Sequence, residues 1–230
     1  MQKKPYGSWT SPITSAAIVA GTVGLEQPRF DGQDIFWIEG RPAEAGRNVV
    51  VRRQATGTCT DLTPRPFNAR NRVHEYGGAA YTVHRGTVYF SNFADQRLYA
   101  QEADGVPVPL TPEDLRRYAD YVFDAHRRRL IGVCEDHSRG EQQVSNFIGA
   151  IEAQGCTSAD VLVDGHDFYS TPRLSPDYQR LAWLAWNHPN MPWDGTELWV
   201  GEFDESNTLI RRTHIAGSTE EAVFQPEWGP

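Results

Sequence analysis

The sequence predicts an all-β fold, a partial β-propeller of about four blades of antiparallel strands. Three observations lead there. Short β-branched and aromatic runs recur at a long period, and aligning Ile35, Val88, Leu130 and Leu181 gives steps of 53, 42 and 51 residues. Repeats of this length built from short strands read as propeller blades, each of which needs neighbours to cover its faces. The clearest run, Leu181-Ala182-Trp183-Leu184-Ala185-Trp186, is apolar at odd and even positions alike, so its strand is covered on both sides. The punctuation around it is turn chemistry: Ser175-Pro176-Asp177 before it, and Asp194-Gly195 closing the loop after it.

The elements follow in order. Residues 1–12 are polar with two prolines and read as an extended arm whose Tyr6 and Trp9 dock on the body. Residues 13–24 read as a short helix or an innermost strand, and the β-branched Ile13, Ile18, Val19 and Val23 do not oppose the strand. Residues 29–53 form the first hairpin, and 54–72 a connector rich in Thr, Pro and Arg. In Glu75-Tyr76-Gly77-Gly78 the glycines permit close backbone approach near the propeller axis. Residues 79–101 supply three strands. Thr111-Pro112-Glu113-Asp114 has the grammar of a helix start and predicts about one helical turn. Tyr118 to Phe123 resumes as strand, then 129–134 and 144–151 pair across a charged loop. The blades are placed at 13–62, 73–112, 118–163 and 164–217, with 222–230 opening a further one. Leu181, Trp183 and Trp199 are the expected inter-blade core.

Composition narrows the function classes. A net charge of -8 and a pI near 5.4 argue against nucleic acid, because phosphate binding needs a basic surface. No apolar run approaches the ~18 residues of a membrane span. No basic segment with a long apolar run opens the chain, so no signal peptide is expected. Cys59, Cys134 and Cys156 are odd in number and form no CxxC, which points to reduced thiols, a cytoplasmic setting, and neither disulfide nor zinc site. No cofactor motif is present.

Two stretches carry a family resemblance: Val73-His74-Glu75-Tyr76-Gly77-Gly78-Ala79-Ala80-Tyr81, and Leu174 through Pro189-Asn190-Met191-Pro192-Trp193-Asp194-Gly195-Thr196-Glu197-Leu198-Trp199. The pattern resembles the N-terminal β-propeller of the prolyl oligopeptidase family of serine peptidases, in its dipeptidyl and acylaminoacyl peptidase branch. The resemblance favours a strand at 13–24. It implies a C-terminal α/β-hydrolase domain as partner, short peptides as substrates, and a propeller that filters them. The chain itself contains no Gly-x-Ser-x-Gly elbow, and nothing in it activates a serine. The peptidase chemistry is therefore implied by kinship, and this chain alone is expected to be inactive.

Candidate sites follow. Glu75, with Tyr76 beside it, sits where a chain enters an innermost strand. A carboxylate there either binds a substrate's free amino group, or caps backbone amides or pairs with Arg70 or Arg72. The loop Asn187-His188-Pro189-Asn190-Met191-Pro192-Trp193 opens on the same face. It is stiffened by two prolines and forms either a substrate or domain interface or a contact with the next blade. Asp164-Gly165-His166-Asp167 lacks converging partners for a metal and reads as a turn, and Glu135-Asp136-His137 reads as a solvated hairpin loop. The main alternative to a gating propeller is a stand-alone scaffold for protein-protein binding. A third reading, a propeller enzyme with an axial site, needs a closed ring. Unclosed end blades, with wet faces near Phe36 and Trp37 and near Trp183 and Trp186, predict self-association.

Overall fold

The computed structural model describes residues 3–19, 21–140 and 142–229. Four antiparallel sheets of four strands each follow one another along the chain. The first holds β1 (Gly24–Asp31), β2 (Asp34–Arg41), β3 (Arg47–Arg53) and β4 (Cys59–Asp61). The second holds β5 (Tyr81–His84), β6 (Thr87–Ser91), β7 (Leu98–Gln101) and β8 (Val108–Pro109). The third holds β9 (Arg116–Asp124), β10 (Arg129–Asp136), β11 (Ser145–Glu152) and β12 (Asp160–Val163). The fourth holds β13 (Phe168–Leu174), β14 (Arg180–Trp186), β15 (Glu197–Phe203) and β16 (Leu209–Gly217). The first strands β1, β5, β9 and β13 touch in succession. That is the arrangement of propeller blades around an axis.

Strand periodicity explains the core. Successive side chains point to opposite faces, so each middle strand feeds two different layers. Val88 and Phe90 pack with Phe36, Ile38 and Tyr81 between the first two sheets. Their neighbours Tyr89 and Leu98 pack with Tyr118, Leu130 and Cys134 between the second and third. Ile131 and Val133 face the other way and meet Tyr169, Leu181, Trp183 and Ala185 of the fourth sheet. This is why a blade's middle strands are apolar at every position.

The inner strands are tied by side chains as well as by packing. β1, β9 and β13 each carry a register shift at a non-glycine residue of positive φ: Gln27, Asp120 and Thr171. Asp120 accepts the N–H of Ala79 at 2.5 Å and that of Thr171 at 3.4 Å, joining three consecutive inner strands. Gln27 accepts the N–H of Ala80 at 2.9 Å. At Gly78 an added Cβ would lie 2.9 Å from that of Ala119, so this approach of two inner strands needs glycine.

Several expectations are corrected. Residues 15–19 form a short helix, α1 (Ser15–Val19), in place of the innermost strand. Thr14 caps it by accepting the Ala17 N–H at 3.0 Å, and the Ser-Ala-Ala run suits a helix. Tyr6 and Trp9 pack on each other at 6.3 Å and stay exposed instead of docking. No helical turn forms after Thr111. Its hydroxyl accepts the Leu98 N–H at 3.1 Å and so completes a strand end. The 54–72 connector contains β4. Glu135 and Asp136 lie in β10, and Glu135 and His137 are buried, so this segment is no solvated loop. Trp199 is only half-buried, unlike Leu181 and Trp183. The end-blade residues expected to be wet are covered: Phe36, Trp183 and Trp186 are buried and Trp37 is half-buried, which leaves self-association without support.

Candidate functional site

The turn between Asn71 and Gly78 is the centre of the site. The Asn71 side chain closes it, accepting the N–H groups of Val73 (3.2 Å) and Gly78 (3.0 Å) and donating to the Gly78 carbonyl (3.1 Å). Inside this clamp His74 and Glu75 both adopt left-handed backbone, with φ of 55° and 65°. Non-glycine residues held there cost about 1–3 kcal/mol each and persist only where the surroundings impose them. Gly77 continues at φ 89°, where a Cβ would meet the Asn71 carbonyl oxygen at 3.1 Å.

Glu135 of β10 supplies part of that constraint. Its Oε1 accepts the His74 N–H at 2.6 Å, while its Oε2 lies 3.2 Å from His137 Nε2. Arg117, opposite Glu135 in the β9–β10 ladder, reaches out of the sheet. Its Nη1 donates to Glu75 Oε1 at 2.5 Å and to the Arg72 carbonyl at 2.9 Å, and lies 3.7 Å from Glu135 Oε2. One guanidinium thus serves two carboxylates. The bond from Arg117 holds the Glu75 carboxyl below its usual range. Burial pushes the His74 imidazole below its ordinary value.

The fourth blade closes the other side. Asp167 accepts the His188 N–H at 2.9 Å, and its own N–H donates to Asn187 Oδ1 at 2.8 Å. The Phe168 ring lies between those of Trp186 (5.4 Å) and His188 (4.9 Å), and the His74 ring meets Phe168 and Trp186 edge-on at 5.4 Å each. Between the blades a cavity of about 590 Å³ opens, bounded by His74, Glu75, Glu135, Asp167, Phe168 and His188. It has an aromatic wall and an acidic one. A second polar cavity of about 590 Å³, lined by Arg116, Asp136, His166 and Asp167, adjoins it across Asn146 and Asp167.

Of the residues singled out in the sequence, Glu75 and His188 share this cavity. Tyr76 instead lines a neighbouring hollow with Arg70 and Asn71. Asn187 orients Asp167, and Trp193 stands exposed outside both hollows. Glu75 pairs with Arg117, not with Arg70 or Arg72. Arg117 is the residue sequence reading overlooked, while Glu135 and Asp167 were read only as parts of a loop and a turn. The register of the β9–β10 hairpin, which sets Arg117 against Glu135, is the signal that reveals Arg117. Among the described residues no group of three or more His, Cys, Asp or Glu converges to hold a metal. No helix there is long and apolar enough to cross a membrane.

No family model matches the sequence, and no curated protein matches it. Solved structures do. A puromycin hydrolase variant complexed with PGG superposes at a TM-score of 0.89 with 37% identity, over 99% of this chain and 37% of that one. A puromycin-hydrolyzing peptidase of Mycobacterium tuberculosis superposes at 0.86 with 37% identity and the same coverage. This chain therefore spans little more than a third of their length. A prolyl endopeptidase, at 0.55 and 12% identity over 82% of this chain and 29% of that one, shares the fold.

Proposed function

We propose that this chain, a propeller segment of the prolyl oligopeptidase family, is the non-catalytic, substrate-admitting part of a serine peptidase. Its catalytic partner in this reading is a C-terminal α/β-hydrolase domain. Its substrates are short peptides or aminoacyl amides with a free amino end, as the dipeptidyl peptidases of the family lead one to expect. The names of the puromycin-hydrolysing structures make puromycin the compound to try first.

One observation carries this reading. In the cavity between the third and fourth blades three carboxylates meet, Glu75, Glu135 and Asp167, and Arg117 bonds the first and lies 3.7 Å from the second. An ammonium group entering there restores charge balance and gains charge-assisted hydrogen bonds, each worth about 1.5–3 kcal/mol. The rings of Phe168, His74 and His188 offer the adjoining side chain an apolar wall. The strained turn at His74 and Glu75 supports the same reading, because a fold retains such strain where geometry matters.

Calorimetric titration of the chain with puromycin and with N-acetylpuromycin tests it. The free amine is expected to bind and the acetylated compound not to. Glu75→Gln is expected to weaken binding about tenfold, the loss of one charge-assisted bond. Equal binding of both compounds overturns the reading.

A further inference from the structure

Arg70 and Arg72 are left without a carboxylate. The Arg70 guanidinium lies over the Phe93 ring at 4.9 Å from its centroid and that of Arg72 at 4.7 Å. Neither is among the ion pairs of the described residues. Two nearby carboxylates are engaged elsewhere, and Glu26, which shares a hollow with Arg70, makes no ion pair with it among the described residues. Glu75 is bonded to Arg117, and Asp95 binds Asn92, Tyr99 and the Arg97 N–H. Arg72 contributes through space to lowering the Glu75 carboxyl, without a bond to it.

The backbone beneath the two arginines is held as firmly as the rings are stacked. The Arg70 N–H bonds the Ser91 carbonyl at 3.1 Å, and the Arg72 N–H bonds Gln96 Oε1 at 2.8 Å. Gln96 in turn donates to the Phe93 carbonyl at 2.7 Å, so platform and arginines form one unit. A stacked guanidinium keeps its N–H edges free, and its planar fork matches a carboxylate with two parallel bonds. Holding two such forks in place beforehand removes much of the ordering cost of binding.

We propose that Arg70 and Arg72, stacked on Phe93, form a site for the carboxylate of a peptide ligand. The site adjoins the turn at Glu75, through Arg117, which donates to the Arg72 carbonyl. It does not depend on the amine-binding reading, because its ligand needs no amino group.

The test follows the arginine side-chain Nε–H signals of the isotope-labelled chain while acetyl-Ala-Ala, which has a free carboxylate and no amine, is added. Its amide, acetyl-Ala-Ala-NH2, is the control. The acid is expected to shift the Arg70 and Arg72 signals in a saturable way, and the amide to leave them in place. Arg70→Gln and Arg72→Gln are each expected to weaken binding about tenfold, and Phe93→Leu, which keeps both charges, to weaken it several-fold. Both arginines are exposed, so the variants are expected to keep the parent backbone spectrum. The proposal is overturned if the amide binds as well as the acid, if neither arginine signal moves, or if the double Arg→Gln variant retains the parent affinity. An unchanged affinity in Phe93→Leu overturns the role of the stacking platform.

Discussion

Glu135 accepts the main-chain N–H of His74 at 2.6 Å, joining the second strand of the third blade to a turn 61 residues earlier. The carboxylate is buried and also faces Arg117 and His137. It therefore holds the site's backbone and balances its one bonded guanidinium. Removing it leaves a left-handed turn without its anchor and an arginine with less compensation. Glu135→Ala is expected to cost about 3 kcal/mol, the scale of breaking a buried pair. Glu75→Gln, on an exposed carboxylate, is expected to cost under about 1 kcal/mol. Urea unfolding of both variants checks this; similar losses would show that Glu135 does not anchor the turn.

Acid should weaken the fold partly through His74. Burial lowers its pKa below the ordinary 6.5, so the folded chain keeps the ring neutral where the unfolded chain takes up a proton. The unfolded state then binds more protons, and stability rises with pH across that interval. The contribution is fully present above about 6.5 and is lost as pH falls below it. Asparagine tolerates the left-handed backbone and does not titrate. His74→Asn is expected to lose less stability than the parent between about pH 8 and about pH 5.5. Parallel denaturation curves measure the difference, and an equal loss would remove His74 from the acid response.

Trp183 and Trp199 of the fourth blade should behave differently. Trp183 is 1% exposed within the layer shared with Ile131, Val133 and Ile148, so Trp183→Ala is expected to cost about 3–5 kcal/mol. Trp199, its partner across the ladder, is half-buried and packs on the His166 and His214 rings. Trp199→Ala is expected to cost about 1–2 kcal/mol. Comparing the two by urea midpoint also tests the strand register, since a slip of one residue would invert the order.

The four blades were legible in the local pattern of apolar runs and turns. The run Leu181 to Trp186 is apolar on both faces, and the tertiary structure does bury both, with Leu181, Trp183 and Ala185 packed against the third blade. The turn at Gly77 and Gly78 was legible too: glycine is the residue favoured at a left-handed bend, and the close approach to Ala119 leaves no room for a Cβ. What local pattern could not decide was which neighbours a residue would find. Thr111-Pro112 satisfies the grammar of a helix start, yet the Leu98 N–H claims the threonine hydroxyl. Glu135-Asp136-His137 is as polar as a loop, yet its first and last residues are buried, and Glu135 bonds the distant turn at His74. Glu75 has arginines three and five residues before it, but takes Arg117, 42 positions away. Hydrogen bonds and ion pairs are won by the partner that geometry brings nearest, and in a propeller that geometry is set by the next blade. The blades were therefore readable one at a time, while the site between them exists only once they are stacked.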